Sequence, residues 1–170
     1  MSAQPKQIGK SFAFIFWGLL LALFYWFFED KLVEQVNPNR QPESYNMGTD
    51  SVLVLKRNRY GHYVTTGFIN GQKVTFMLDT GATNVAVPST VADRIGLQGG
   101  AAMRVNTANG IATAYQTRIS ALRIGAIELY DVKASIVPGM KGQQILLGMS
   151  VLKQVEFSQK GDELTLKLTR

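Results

Sequence analysis

The chain has 170 residues, a formal net charge of +6 and a hydrophobic fraction of 46%, which is enough for one folded domain with an additional segment. It contains no cysteine and one histidine, His62. Thiol nucleophiles, disulfides and cysteine-based zinc sites are therefore excluded, and no Gly-x-Ser-x-Gly elbow accompanies His62 for a Ser-His-Asp site. The basic residues are scattered, so we expect a solvated basic surface and no nucleic-acid partner; attraction to anionic lipid headgroups is the alternative.

The N-terminal part of the chain contains a long apolar segment. Residues 1–10 are polar, and residues 11–28 carry no charged side chain. A helix over 11–28 would be about 27 Å long, close to the hydrocarbon thickness of a bilayer. A cleaved signal peptide and a buried core helix are the alternatives. Bulky aromatic residues stand where a cleavage site needs small ones, and a helix that is apolar on all sides fits a bilayer better than a core. We therefore expect an uncleaved transmembrane helix at 11–28.

The charges that flank this segment predict its orientation. Lys6 and Lys10 precede it, whereas Glu29 and Asp30 follow it. Basic residues favour the cytoplasmic side, so residues 1–10 are predicted to form a cytoplasmic tail. In a Gram-negative bacterium this places the protein in the inner membrane with its C-terminal domain in the periplasm. Residues 29–48 are polar and contain two prolines, which predicts a flexible linker before a domain over 49–170.

From Ser51 onward the pattern is typical of β-structure. Residues 51–56 contain a continuous Val-Leu-Val-Leu run and are predicted to form a strand. Asn70-Gly71 separates two further predicted strands, which is a strong hairpin signal. A short strand is predicted over 84–87, and Pro88 terminates it. The spacing of Thr90 and Asp93 predicts a capping box for a short helix that Gly96 ends. A second hairpin is predicted over 103–119, with Asn109-Gly110 at its tip. The remaining predicted strands are 121–124, 127–136, 145–147, 155–157 and 163–168.

The most informative stretch is Phe76-Met-Leu-Asp-Thr-Gly-Ala-Thr83. A predicted buried strand delivers Asp79 to a glycine turn. In low-dielectric surroundings the charge of a carboxylate is costly unless it is paired, protonated or used. The alternative is a structural turn in which Asp79 only caps backbone N–H groups. A second apolar run that ends in glycine, Ile145-Leu-Leu-Gly148, gives the sequence a faint internal repeat.

A single carboxylate is a poor catalyst of amide hydrolysis, but two that share one proton supply both an acid and a base. The base activates a water, and the acid protonates the carbonyl oxygen. The second half of the repeat has Leu147-Gly148 in place of an aspartate, so the partner of Asp79 must come from a second chain related by a two-fold axis. Strand 51–56 is predicted to form an intermolecular sheet with a strand in which three leucines alternate: Leu164, Leu166 and Leu168.

Three features together resemble the retropepsins, the retroviral-type single-domain aspartic proteases. They are the stretch Phe76–Thr83, the hairpin around Asn109-Gly110 and the run Ile145–Gly148, and the resemblance covers about residues 51–168. With the preceding apolar segment, the chain is similar to bacterial membrane-anchored members. The resemblance implies a mainly β, closed β-barrel domain that is active as a homodimer and acts as an endopeptidase on proteins or peptides. The sequence has no metal-site, phosphate-loop or dinucleotide motif, so we expect no metal or cofactor.

The resemblance also implies roles for individual residues. Asp79 matches the catalytic aspartate, the hydroxyl of Thr80 would brace the two loops across the dimer, Gly81 would line the substrate channel, and Ala82 belongs to the same loop. The run Leu146–Gly148 matches the motif that packs behind the loops. The hairpin over 103–119 matches the flap over the substrate, with four residues at its tip: Thr107, Ala108, Asn109 and Gly110. The alternative is an inactive module of this fold that binds extended peptides by strand addition.

Overall fold

The computed structural model describes residues 5–107 and 110–169. The chain divides into two units, one that ends at Gln35 and one that begins at Val36. The first contains helix α1 (Pro5–Val36) up to Gln35. The second is mainly β, which confirms that part of the predicted fold class. The elements of the second unit, in order, are β1 (Glu43–Met47), β2 (Asp50–Lys56), β3 (Val64–Ile69), β4 (Gln72–Leu78), β5 (Val85–Pro88), α2 (Ser89–Ile95), β6 (Ala102–Thr107), β7 (Gly110–Ile124), β8 (Ile127–Val137), β9 (Gln144–Leu147), α3 (Met149–Leu152), β10 (Glu156–Lys160) and β11 (Glu163–Leu168).

Helix α1 is longer than the predicted span. It has 32 residues, so at 1.5 Å per residue it extends about 48 Å. Its large apolar side chains are exposed, for example Trp17 at 59% and Trp26 at 73%. By length and composition, the stretch Lys10–Val36 is suited to cross a membrane. The helix therefore continues beyond Phe28 through residues that the sequence assigned to a linker.

The prediction of a flexible linker over 29–48 is wrong. The helix runs to Val36, Asn37 and Asn39 are buried, and β1 pairs with β2 along its whole length. Polar composition suggested a solvated tether, but here the polar groups are hydrogen-bond partners of the main chain. Asn58 donates from Nδ2 to the carbonyl of Val36 at 2.9 Å, so the β unit begins where the helix ends.

Asn39 joins the two sheets of the domain. Its Nδ2 donates to the carbonyls of Lys56, at the end of β2, and Val64, at the start of β3. Its Oδ1 accepts from the amide of Lys56 at 2.7 Å, and its own carbonyl accepts from the amide of Thr66 at 3.1 Å. The residue is only 4% exposed, so no solvent can replace these partners.

We expect Asn39→Ala to lower the free energy of unfolding of residues 36–170 by about 2–3 kcal/mol, because buried main-chain groups lose their partners. Denaturant unfolding followed by circular dichroism measures this loss. The exposed Asn106 provides the control, since Asn106→Ala should change stability by less than about 0.5 kcal/mol. Equal effects of the two substitutions would contradict the role of Asn39.

The strands form two sheets. The smaller has the order β1-β2-β11-β10, and the larger has the order β3-β4-β9-β5-β8-β7-β6, with an additional short pairing between β3 and β7. A single core lies between them, and its fully buried side chains include Leu53, Phe76, Leu122 and Ile145. This core fixes β4 and β9, the two strands that carry the candidate site.

The prediction of an intermolecular sheet formed by strands 51–56 and 163–168 is wrong. β11 pairs with β2 of the same chain from Glu163 to Leu168, and Leu164 and Leu166 are buried in the core. The alternation of leucines marks a core-facing strand rather than a subunit interface. The free edges of this sheet are β1 and β10.

The hairpin predicted around Asn70-Gly71 is confirmed, because these two residues favour one type of tight turn. Asn70 and Gly71 have φ values of 48° and 81°, as a two-residue type I′ turn requires, and β3 and β4 pair on either side. The predicted capping box is wrong, because α2 begins at Ser89 directly after Pro88 and no side chain caps it. Gly96 ends this helix in the left-handed conformation as expected.

Candidate active site

Asp79 follows β4 at the point where three strands lie side by side. β9 lies between β4 and β5. It runs parallel to β4, with Leu78 opposite Leu147, and a single pair joins it to β5. Residues 79–84 therefore pass over the end of β9 from one neighbour to the other. Because β4 is anchored by buried Phe76, the position of Asp79 follows from the core.

The loop is held by hydrogen bonds of its own backbone and of Asp79. The amide of Asp79 donates to the carbonyl of Leu147 at 3.2 Å, and the amide of Ala82 donates to the carbonyl of Asp79 at 3.2 Å. The amide of Gly81 donates to Asp79 Oδ1 at 2.8 Å. This Asx-type turn orients the carboxylate and engages one of its two oxygens.

Gly148 is packed directly beneath the loop. A Cβ atom at this position would lie 2.5 Å from the carbonyl oxygen of Ala82 and 2.3 Å from that of Asn84, so only glycine fits. The following amides complete the contact: Met149 donates to the carbonyl of Ala82 at 2.8 Å and Ser150 to that of Thr83 at 2.9 Å. The run that ends at Gly148 thus supports the loop that begins at Asp79.

Ser150 is a supporting residue that the sequence analysis did not identify. Its hydroxyl accepts from the amide of Val85 at 3.2 Å and donates to the carbonyl of Lys133 at 3.0 Å. It therefore connects the end of the loop to β8. The only feature of the sequence that indicates this role is a serine two residues after Gly148. Serine is too common a residue for its position alone to predict a supporting contact.

The carboxylate of Asp79 lies at the surface of the subunit. The residue is half-buried, Thr80 and Gly81 are exposed, and Ala82 is half-buried. Within residues 5–107 and 110–169, no basic side chain forms an ion pair with Asp79, and Thr80 makes no side-chain hydrogen bond. Elsewhere in the domain, Lys167 donates a hydrogen bond to Asp50 at 2.8 Å. That hydrogen bond raises the pKa of Lys167 above its ordinary value. Asp79 thus has no cationic partner among the described residues of its own chain.

The predicted flap is an antiparallel hairpin of β6 and β7. Thr107 pairs with Gly110, and the Thr107 hydroxyl donates to the carbonyl of Gly110 at 2.7 Å. Both residues are exposed, as is the adjacent Ile111, at 64%. The other two predicted tip residues, Ala108 and Asn109, lie outside the described residues. β6 is the terminal strand of the larger sheet, so few neighbours constrain this hairpin.

This combination of a mainly β domain, an aspartate in a glycine loop and a second apolar strand behind that loop defines a retropepsin-like fold. A retropepsin-like aspartic protease from Rickettsia conorii superposes on 75% of this chain and 94% of its own length, with a TM-score of 0.59 and 27% identity. A sequence profile of the family described as gag-polyprotein putative aspartyl protease matches residues 65–154. The chain therefore belongs to this aspartyl protease family.

Two curated relatives are uncharacterised bacterial proteins. One, from Sinorhizobium sp. and encoded in the cobV 5′ region, is 32% identical over 82% of this chain. The other, from Rickettsia prowazekii, is 29% identical over 65% of this chain. The matches span 62% and 49% of the lengths of these relatives, so both are longer than the part shared with this chain.

Proposed function

We propose that this protein is a membrane-anchored aspartic endopeptidase whose active site consists of two copies of Asp79, one from each of two chains. The observation that carries the proposal is the state of Asp79 in a single chain. Its carboxylate is held by the amide of Gly81, lies at the surface and has no cationic partner among the described residues. A structural carboxylate is normally satisfied by several donors or by a cation. The carboxylate of Asp79 is oriented by the amide of Gly81, but its other oxygen has no protein partner among the described residues.

Two such carboxylates that face each other share one proton, because both cannot ionise at short distance. The ionised group takes a proton from a water held between them, and the water oxygen attacks the carbonyl carbon of the substrate. The protonated group gives its proton to the carbonyl oxygen. In the resulting gem-diol, the carboxyl that took the water proton gives it to the amine nitrogen, and the other carboxylate takes a proton from a gem-diol hydroxyl. The C–N bond breaks, which releases an acid and an amine and leaves the dyad with one shared proton, as at the start.

The loop geometry supports this chemistry. Gly81 binds Asp79 Oδ1, which leaves Oδ2 free of protein donors in the described chain. Gly148 and the first amides of α3 hold the loop from behind. Such preorganisation lowers the reorganisation that the reaction needs. The exposed β6–β7 hairpin is suited to cover an extended peptide.

Helix α1 supports the anchoring part of the proposal. The stretch Lys10–Val36 is long and apolar enough for one span. Lys6 precedes it and Lys10 is its first residue. The positive-inside rule then favours a cytoplasmic N-terminus and a periplasmic β unit in the bacterial inner membrane.

The test is mass spectrometry of peptides released from an unfolded protein by the full chain in detergent and by residues 36–170, from acidic to neutral pH. We expect internal cleavages by both proteins, with specific activity that rises with enzyme concentration because the site needs two chains. Peptide binding without any cleavage over this range would contradict the proposal and favour an inactive binding module.

A further inference from the structure

The single histidine of the chain, His62, lies next to the candidate catalytic loop. The amide of Leu78 donates to the carbonyl of Tyr63 at 3.0 Å, so the hairpin of β3 and β4 extends to this pair of residues. His62 directly precedes Tyr63, and Asp79 directly follows Leu78. The register of the hairpin therefore brings His62 and Asp79 opposite each other, one position beyond the last hydrogen bond.

The alternation of side chains places both residues on the same face of the hairpin. Tyr63 and Leu78 pack against the core, and successive side chains of a strand point to opposite faces. His62 and Asp79 are the next residues on their strands, so they share the opposite face. Their accessibility agrees with this assignment, because His62 is exposed and Asp79 is half-buried.

The main chain of His62 is fixed, whereas its imidazole has no partner in the described chain. The amide of Asn58 donates to the carbonyl of His62 at 2.8 Å, and Oδ1 of Asn58 accepts from the amide of His62 at 2.9 Å. Asn58 is only 9% exposed, which protects these bonds from water. Within residues 5–107 and 110–169, the imidazole of His62 forms neither a hydrogen bond nor an ion pair. Its N–H group is therefore available to a ligand.

The loop that carries this histidine favours an anionic ligand. Residues 57–63 contain two arginines and no acidic side chain. Arg57 forms an ion pair with Asp162, and the guanidinium of Arg59 lies 5.2 Å from the centre of the Tyr60 ring. The local charge of the loop thus attracts a carboxylate rather than an ammonium group.

We propose that His62 determines substrate specificity, and that its imidazole donates a hydrogen bond to an acidic side chain of the peptide substrate. Imidazole donates one N–H when it is neutral and two when it is protonated. A hydrogen bond from either form to a carboxylate is charge-assisted, and such bonds are about twice as strong as neutral ones. The inference rests on the proposed function, and it names the class of substrate that this site selects.

The geometry also predicts where the acidic residue lies in the substrate. Side chains that face each other across a ladder, directly or diagonally, have Cβ atoms about 4.5–8 Å apart. An extended peptide advances about 3.3 Å per residue, so this distance corresponds to about two residues from the cleaved bond. Because two chains related by a two-fold axis each supply one His62, the preference should occur at two positions, one on each side of that bond.

Matched peptides with glutamate or glutamine test this preference, because the two side chains differ in charge but hardly in size. The residue is varied at each position near the cleaved bond, on both sides. Cleavage by the full chain in detergent is followed by mass spectrometry at about pH 5, where a glutamate side chain is mostly ionised. We expect glutamate to raise kcat/KM about tenfold over glutamine at one position on each side, mainly through a lower KM.

Two substitutions of His62 separate its charge from a structural role. His62→Gln should abolish the preference for glutamate, whereas His62→Arg should keep it, because arginine retains a cationic donor. Both variants should keep the unfolding midpoint, since Asn58 binds only the main chain of His62. Lys73→Gln, at the other end of β4, is the matched control. It removes a basic side chain from the same strand and should leave the preference unchanged.

The outcomes separate this inference from the proposed function. Cleavage without a preference for glutamate, or with a preference that His62→Gln leaves intact, overturns the role of His62 and still supports proteolysis. If the wild-type chain cleaves no peptide, the proteolytic function is overturned, and fluorescence anisotropy of the same labelled peptides decides the role of His62. Tighter binding of the glutamate peptide that is lost in His62→Gln then supports the contact, and equal or undetectable binding of the two peptides overturns it.

Discussion

Asp79→Asn is expected to reduce peptide cleavage by about 10³-fold or more, because the dyad loses both its acid and its base. Asparagine keeps the size of the side chain and an oxygen that can accept from the Gly81 amide. The loop should therefore keep its structure, and the unfolding midpoint should change little. Cleavage of a fluorogenic peptide library, together with thermal unfolding, measures the two effects.

Co-expression of the two forms tests whether the site is shared. If Asp79 from each chain is needed, a mixture of equal amounts of wild type and Asp79→Asn has about one quarter of the activity of the same total amount of wild type. The reason is that only about one quarter of the dimers contain two aspartates. If each chain had a complete site, about one half would remain. The second result, or full activity of Asp79→Asn alone, would contradict a shared dyad.

The second large effect is expected at Gly148. Gly148→Ala would place a Cβ atom against two loop carbonyls, 2.3 and 2.5 Å away. Main-chain atoms cannot rotate out of the way as a flexible side chain can, so the loop must move. We expect a loss of about 3 kcal/mol or more in the free energy of unfolding. A displacement of Asp79 by about 1 Å would further reduce activity by about 10²-fold.

Gly139 is the matched control for this substitution. It lies in a loop, and a Cβ atom there would meet nothing within 4 Å. Gly139→Ala should change stability by less than about 0.5 kcal/mol. If Gly148→Ala were equally harmless by denaturant unfolding, the packing of Gly148 beneath the Asp79 loop would be wrong.

Local chemistry explains which features could be predicted from the sequence. The Asn70-Gly71 turn and the glycine at the end of α2 depend on backbone conformations that few residues adopt, so the residues themselves indicate the structure. The strand before Asp79 was predicted because Phe76 and its neighbours are apolar and a glycine follows. The combination of these motifs also pointed to the correct family.

The features that were missed depend on distant partners. Asn37 and Asn39 have the composition of a linker, and only the proximity of β2 and β3 makes them buried. The leucines of β11 alternate in the same way whether they face a core or a second subunit, so the sequence could not distinguish these environments. Ser150 acts through carbonyl and amide groups of β8 and β5, which no local pattern reveals.

The hydrogen bonds of Asn39 also set a boundary for any soluble fragment. A recombinant or naturally trimmed form that starts at residue 49 would lack Asn39 and β1. It would expose Val52, which β1 pairs with, and the main-chain groups of Lys56 and Val64 that Asn39 binds. A form that starts at Val36 keeps every one of these contacts. The shortest stable fragment of the β unit is therefore expected to retain Val36, the final residue of the helix.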